Sequence, residues 1–179
     1  MDIETLKNKS RFLSLILRHK PETINLQLDN EGWLNVNELI EKSNIHGELL
    51  NFDMLEYIVN NSDKQRFTFN NDKSKIRANQ GHSIEVELDL QEKTPPTILY
   101  HGTVDKFVDS IRNSGIEKRS RNHVHLSAET ETAIKVGSRK GTPVILTVNS
   151  GQMYKDGYKF YQSKNDVWLI DFVPKEYIN

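Results

Sequence analysis

The chain has 179 residues, with 24 lysines and arginines against 25 aspartates and glutamates, so its formal net charge at pH 7 is −1. This balance excludes a broad cationic field for general polyanion binding, and any contact with nucleic acid is expected to be local. The absence of cysteine excludes disulfides, thiolate zinc ligands and a cysteine nucleophile. With no secretory signal and no stretch of membrane-spanning length, the sequence predicts a cytoplasmic protein without a membrane partner.

The first predicted element is an amphipathic helix over residues 6–18. Its apolar residues recur at helical spacing: Leu6, Phe12, Leu13, Ile16 and Leu17. Pro21 disfavours helical backbone at the residue before it, so the helix should end near His19. Arg18 and His19 then occupy its last turn, where the negative end of the helix dipole favours a cation.

Two shorter helices are predicted at 37–42 and 52–60, followed by a β-hairpin. The hairpin runs through 65–69 and returns through 75–77, with its two phenylalanines on the buried face and Arg66 facing outward. Helices followed by such a hairpin predict a winged-helix-like lobe, a shape often used on nucleic acids. Shape alone does not establish that function.

The polar, proline-containing residues 91–97 are predicted to link that N-terminal lobe, 1–90, to a second lobe, 98–179. The second lobe alternates strands with helices, so the fold class is α+β. Its strands are expected at 98–100, 124–126, 144–148 and 167–170. One helix should run from about 104 to 113 with Gly115 near its C-cap, and another should begin after Ser127 as N-cap.

Five of the six histidines stand in short polar clusters. The clusters are Arg18-His19, Gly81-His82-Ser83, His101-Gly102-Thr103 and the pair His123 and His125. Histidine can donate a hydrogen bond, accept one and carry charge near neutral pH. Its concentration beside arginine, glycine and serine therefore indicates a site for anionic groups.

Two of these clusters are expected to share one cleft. His101 should emerge at a strand end, with Gly102 leaving room for a ligand near the backbone. If the strand of His125 is its neighbour, both imidazoles and the Ser127 hydroxyl can line the cleft. His123 is predicted to lie on the opposite face of the strand from His125, and so outside the cleft.

Six segments in order carry a resemblance to a known family. They are Leu17-Arg18-His19-Lys20-Pro21, Asp63-Lys64-Gln65-Arg66-Phe67, Arg77-Ala78-Asn79-Gln80-Gly81-His82-Ser83, Leu99-Tyr100-His101-Gly102-Thr103, Arg121-Asn122-His123-Val124-His125-Leu126-Ser127 and Val167-Trp168-Leu169. Together they resemble the KptA family of NAD-dependent RNA 2'-phosphotransferases over nearly the whole chain.

The resemblance implies an N-terminal RNA-binding lobe of winged-helix type and a C-terminal ADP-ribosyltransferase-like lobe that holds NAD. An internal RNA 2'-phosphate attacks the nicotinamide ribose, releasing nicotinamide and forming RNA-2'-phospho-ADP-ribose. Transesterification then gives 2'-hydroxyl RNA and ADP-ribose 1'',2''-cyclic phosphate. The implied partners are NAD, consumed as co-substrate, and an RNA with an internal 2'-phosphate, such as a spliced tRNA. A monomer is the expected state.

The resemblance also assigns residues. The phosphate clamp and catalytic set would be Arg18, His19, Arg66 and Arg121. The residues around NAD would be His101, Gly102, Thr103, His125, Leu126, Ser127, Arg139 and Val167, with no metal. Guanidinium forks suit phosphate oxygens, and His19 is the candidate for proton transfer in the second step. Val167 stands where many ADP-ribosyltransferases place a glutamate, and a phosphate acceptor can dispense with that carboxylate.

Other interpretations stay open. Taken singly, Arg18 and His19 fit a solvated helix end, Arg121 fits a basic turn, and the strand histidines fit a hydrogen-bonded core. A metal-dependent phosphoesterase could use His101, His123 and His125. A non-enzymatic winged-helix nucleic-acid binder is a second alternative. A third is an ADP-ribosyltransferase that modifies terminal phosphates of RNA or DNA.

Overall fold

The computed structural model describes residues 3–62, 64–88 and 90–179, and the chain divides into two compact units, Met1–Asp89 and Leu90–Asn179. Both units combine helices with short antiparallel strands, which confirms the α+β class. The assignment of the units to a winged-helix-like and an ADP-ribosyltransferase-like lobe stays a prediction.

The first unit contains three α-helices among its described residues. Its elements are α1 (Ile3–Arg18), a 3-10 turn (Pro21–Ile24), β1 (Leu34–Asn35), α2 (Val36–Ile45), α3 (Phe52–Asn60), β2 (Phe67–Phe69) and β3 (Lys75–Ala78). Asn35 and Asn51 cap α2 and α3, because each side chain accepts a hydrogen bond from a backbone N–H of the first turn. The predicted helices and hairpin are confirmed, although α1 begins one turn earlier and α2 ends one turn later.

The core of the first unit forms where the apolar side of α1 meets the small sheet. Leu13, Ile16 and Leu17 are fully buried, in keeping with the predicted amphipathic pattern. β3 is the central strand, with β1 and β2 antiparallel on its two sides. Phe67 is buried in this core, and Phe69 is half-buried against the ring of Phe52 at 5.9 Å.

The second unit is built mainly on antiparallel strands. Its elements are β4 (Leu99–Val104), α4 (Asp105–Ser114), β5 (Ile116–Glu117), β6 (Val124–Leu126), α5 (Thr130–Gly137), β7 (Pro143–Val148), α6 (Ser150–Lys155), β8 (Tyr161–Gln162), β9 (Trp168–Ile170), β10 (Phe172–Val173) and a 3-10 turn (Lys175–Tyr177). β4 pairs with β7, and β6 and β8 flank β9. Reciprocal hydrogen bonds between Tyr100 and Ser127, at 2.8 and 2.9 Å, join the two sheets.

Three sequence-based expectations for this unit are wrong. β4 continues through His101, Gly102 and Thr103 instead of ending before them, because β7 supplies backbone partners as far as Pro143. Ser127 does not cap α5, since its backbone is engaged with β4 and the helix begins three residues later. Val167, expected as the first residue of the last strand, lies directly before β9 and is held by hydrogen bonds with Ser163.

Two glycines bring α5 close to β4. A Cβ on Gly102 would lie 1.9 Å from the carbonyl oxygen of Ala133, and one on Gly137 would lie 2.8 Å from the carbonyl oxygen of Thr103. Both distances are far below van der Waals contact, so neither position can carry a side chain without moving the helix. The missing side chain of Gly102 therefore makes room for the helix α5. The sequence-based prediction was that it makes room for a ligand.

Residues 91–97, predicted as a linker, are hydrogen-bonded along the second unit. Glu92 pairs with Tyr161, and the carbonyls of Pro96 and Thr97 accept hydrogen bonds from Ser150 and Gly151. Within the part of the chain that the structure describes, no helix combines the length and apolar character needed to cross a membrane.

Candidate active site

A cleft of about 300 Å³ in the second unit is the candidate ligand site. It is lined by β4, the inner side of α4, the segment from 115 to 125 and the C-terminal end of α5. Because β4 is fixed by β7 on one side and α5 packs closely on it, the floor of the cleft is well supported.

His101 and His125 are neighbours in this cleft, as the sequence predicted for adjacent strands. His101 Nδ1 lies 3.3 Å from the carbonyl oxygen of His125. A carbonyl only accepts, so Nδ1 of His101 carries the hydrogen and Nε2 is left for a ligand. Burial lowers the pKa of His101, the hydrogen bond to the His125 carbonyl opposes this, and the charges of Arg119 and Arg121 lower the pKa further. The net lowering keeps the ring neutral at pH 7.

Arg121 contacts the second imidazole directly. Its Nη1 lies 3.0 Å from His125 Nδ1. A guanidinium only donates, so Nδ1 accepts and the neutral His125 ring has its proton on Nε2. Burial is the main cause that lowers the pKa of the Arg121 guanidinium, and the positive charge of Arg139 lowers it further. Two arginine charges that repel each other here favour an anion between them.

The charge of the lining is strongly one-sided. The cations among the lining residues are Lys118, Arg119, Arg121, Arg139 and Lys140, against the single carboxylate of Glu117. Three cations surround the ring of Phe107 on α4: Arg119 at 4.7 Å, Lys106 at 5.0 Å and Lys140 at 5.8 Å from the ring centre. The cleft therefore offers both positive charge and an apolar face.

The predicted NAD-binding residues divide into two groups. Those that line the cleft are His101, Gly102, Thr103, His125 and Arg139. Leu126, Ser127 and Val167 lie outside the lining: Leu126 is 1% exposed in the core, and Ser127 is paired with β4. The assignment of all eight to NAD stays a prediction.

His123 lines the same cleft, so the prediction that it lies on the other side is wrong. That prediction misapplied strand alternation, because side chains two residues apart point to the same face of a strand, which places His123 and His125 on one side. Its ring also contacts Tyr161 edge-on at 6.2 Å. Phe107 was not predicted as a site residue, although its spacing of four residues from the buried Ile111 on α4 indicates that it lies on the inner side of the helix.

Three members of the predicted catalytic set lie together in the first unit. The carbonyl oxygen of Arg66 accepts a hydrogen bond from Arg18 Nη2 at 3.4 Å, and the Arg18 guanidinium lies 5.8 Å from the centre of the Phe67 ring. Arg66 Nη1 donates to Ser62 at 3.4 Å. His19, just beyond the end of α1, has Nδ1 2.9 Å from the hydroxyl of Ser83. Arg121, the fourth member, belongs to the second unit.

Beneath this group lies His82, which is 1% exposed. Neither ring nitrogen has a hydrogen-bond partner among the described residues. Burial, followed by the charges of Arg18, His19 and Arg77, lowers the pKa of His82 to about 4. A neutral imidazole thus lies under a group of cations.

Metal-binding geometry is not apparent in the described residues: none of their histidines, aspartates and glutamates form a group of three or more suited to a metal ion. An α+β chain whose cleft gathers arginines and neutral imidazoles has the chemistry of an anion-binding protein.

Comparison with known proteins shows to which family this anion-binding chain belongs. Residues 4–172 match the family described as RNA 2'-phosphotransferase, Tpt1 / KptA family. A Flavobacterium johnsoniae protein is 59% identical over 178 residues, which cover 99% of this chain and 98% of that protein. One from Fusobacterium nucleatum is 58% identical over 169 residues, 94% of each chain. Both carry the name "Probable RNA 2'-phosphotransferase". The chain belongs to the RNA 2'-phosphotransferase family, a family of transferases, which confirms the resemblance.

Proposed function

We propose that this protein is an NAD-dependent RNA 2'-phosphotransferase that removes an internal 2'-phosphate from RNA in two steps. The second unit, an ADP-ribosyltransferase-like lobe, binds NAD, and the first, a winged-helix-like lobe, binds the phosphorylated RNA. NAD supplies an electrophilic ribose carbon and nicotinamide as leaving group. The products are 2'-hydroxyl RNA, nicotinamide and ADP-ribose 1'',2''-cyclic phosphate.

The observation that carries this proposal is the charge and shape of the cleft. NAD has a pyrophosphate flanked by two nucleosides, and it requires cations near the centre with flat or apolar surfaces beside them. Arg121 and Arg139 are suited to the pyrophosphate, and Phe107 offers a face for a ring. The neutral His101 offers Nε2 as an acceptor for a hydroxyl.

The first unit provides the groups that an RNA phosphate needs. A phosphate dianion is already a nucleophile, so the first step requires orientation and charge control more than a base. The Arg18 guanidinium donates to the backbone carbonyl of Arg66, which places Arg18 beside the residue that carries the second arginine side chain. His19 is the candidate for donating a proton to the RNA 2'-oxygen as it leaves.

The test is to incubate the protein with NAD and a short RNA that carries one internal 2'-phosphate, and to follow RNA mass, nicotinamide and nucleotide products together. We expect loss of the phosphate together with formation of nicotinamide and ADP-ribose 1'',2''-cyclic phosphate.

Alanine substitution of Arg18, His19, Arg66 or Arg121 should lower the rate at least about 100-fold, the effect of losing a charged contact to the transition state. The matched controls are Arg11→Ala on α1 and Arg112→Ala on α4, both exposed and outside the candidate groups.

The other outcomes favour the rival functions. Accumulation of RNA-2'-phospho-ADP-ribose would overturn the two-step proposal and favour an ADP-ribosyltransferase that stops after the first step. Activity without NAD that a chelator abolishes would favour a metal-dependent phosphoesterase. RNA binding with no nicotinamide release would favour a binding protein.

The proposed RNA is a tRNA-like molecule with a 2'-phosphate at a splice junction, the substrate class implied by the resemblance. The absence of cysteine supports a reducing, cytoplasmic location. Comparing a spliced tRNA with an unstructured RNA that carries the same 2'-phosphate tests the first point. Equal kcat/KM for the two would contradict tRNA selectivity.

A further inference from the structure

Ser83 contacts both residues at the end of α1. Its hydroxyl oxygen lies 2.9 Å from His19 Nδ1, and its backbone N–H donates to the carbonyl oxygen of Arg18 at 2.9 Å. The carbonyl of Arg18 belongs to the last turn of the helix, where carbonyls have no partner within the helix. One residue, 64 positions away from His19 in sequence, thus fixes the end of α1 and touches the imidazole.

His82 holds Ser83 in that position. Its side chain is buried, and its ring lies close to Gly32. A Cβ added to Gly32 would lie 3.3 Å from Nε2 of His82. Because the buried ring packs against Gly32, displacement of the following residue, Ser83, would disturb a close-packed site. The exposed Ser83 therefore rests on a buried anchor, which reduces the freedom of its hydroxyl.

We propose that Ser83 is a positioning residue that accepts a hydrogen bond from His19 Nδ1–H and so presents Nε2 of His19 for proton transfer. This inference rests on the proposed function for its role in the reaction. In the second step, the ribose 2''-oxygen forms a bond to phosphorus and the bond from phosphorus to the RNA 2'-oxygen breaks. The proton of the 2''-hydroxyl passes to the lone pair of His19 Nε2 and from there to the leaving 2'-oxygen, while Ser83 holds the ring so that Nε2 is the atom that faces the RNA.

The hydrogen bond makes a prediction about the tautomer of His19. A free neutral histidine carries its proton mainly on Nε2. When a hydroxyl accepts from Nδ1–H, the neutral ring carries its proton on Nδ1 instead and keeps a lone pair on Nε2. Removal of the hydroxyl should therefore return the ring to the ordinary Nε2–H form.

The test is NMR of the ring nitrogens in the full-length protein without RNA or NAD, with His19 assigned by loss of its signal in a His19→Gln variant. The parent should show neutral His19 protonated on Nδ1, and Ser83→Ala should show it mainly on Nε2. Ser83→Thr keeps the hydroxyl at an exposed position and should restore the parent spectrum. Ser14→Ala is the matched control, because the Ser14 hydroxyl donates to Ser10 within the same helix. An Nε2–H tautomer in the parent, or an unchanged tautomer in Ser83→Ala, overturns the inference.

A kinetic measurement separates positioning from a merely structural role. Ser83→Ala should slow the second step by about tenfold, the worth of one hydrogen bond. Nicotinamide release in the first step should stay within about twofold of the parent, so RNA-2'-phospho-ADP-ribose accumulates transiently. Equal slowing of both steps would contradict the role in proton transfer. If the parent itself releases no nicotinamide, the proposed function fails, while the NMR result still decides whether Ser83 sets the tautomer of His19.

Discussion

His82 should make the stability of the first unit depend on pH. Replacing it with Leu or Gln removes a buried imidazole that lies near the charges of Arg18 at the end of α1, of the following His19 and of Arg77 on β3. The folded protein holds the pKa of this ring at about 4, whereas an exposed histidine titrates near 6.5. The folded state therefore favours the neutral ring, and the unfolded chain binds more protons between these two pH values.

The magnitude follows from the difference between the two pKa values. The stability associated with the neutral ring is fully present above pH 6.5 and is lost as the pH falls toward 4. At pH 5, an unfolded His82 is nearly all protonated and a folded one about a tenth protonated, so the loss relative to pH 7.5 is about 2 kcal/mol. Near pH 3 the loss reaches its limit of about 3 kcal/mol.

The assay uses the two tryptophans, since Trp33 lies in the first unit and Trp168 in the second. In a Trp168→Phe background, urea unfolding followed by Trp33 fluorescence reports the first unit. Between pH 7.5 and pH 5 the free energy of unfolding should fall by about 2 kcal/mol more in the parent than in His82→Leu or His82→Gln. The comparison uses pH dependence, so a constant loss from altered packing cancels. If parent and variants change equally with pH, His82 is not held neutral by its surroundings.

Three further predictions follow from close contacts. Gly102→Ala should lower the free energy of unfolding by about 3 kcal/mol or more in thermal unfolding, because its Cβ would overlap a helix carbonyl. Gly157→Ala, with open space around it, should cost only about 1 kcal/mol for its positive φ, and an equal loss in both would contradict the packing argument. Arg121→Lys keeps the charge but loses the planar donor, and calorimetry should show NAD binding about tenfold weaker; unchanged affinity would refute that role. Asn79→Ala removes a hydrogen bond to the backbone just before Arg66 and should cost about 1 kcal/mol, with weaker binding of 2'-phosphorylated RNA and no change for NAD.

The sequence predicts local elements well because their signals are local. The helix from Phe52 to Asn60 matches its prediction, since apolar spacing and the Asn51 cap both lie within a dozen residues. Gly115 also lies at the C-cap of α4, with φ of 87°. In both cases the preference of the backbone and the burial of the side chains point to the same structure.

What the sequence does not predict depends on distant partners. The extension of β4 through His101 requires pairing with β7, some 45 residues later. The residues near His101 carry no pattern that predicts this pairing. The contact between Arg121 and His125 spans only four residues, but it forms where a loop enters a strand, so helical spacing rules do not describe it. Ser83 acquires a role only when residues 64 apart meet at the end of α1.

The close packing of α5 on β4 limits which parts of the cleft can be redesigned. Gly102 and Gly137 leave no space for side chains, so the base of the cleft tolerates little redesign. Freedom to alter ligand preference lies instead in the two exposed loops that carry Arg119 and Arg139 at its rim. A library that randomises those loops while both glycines stay fixed should retain folded variants far more often than one directed at the strand.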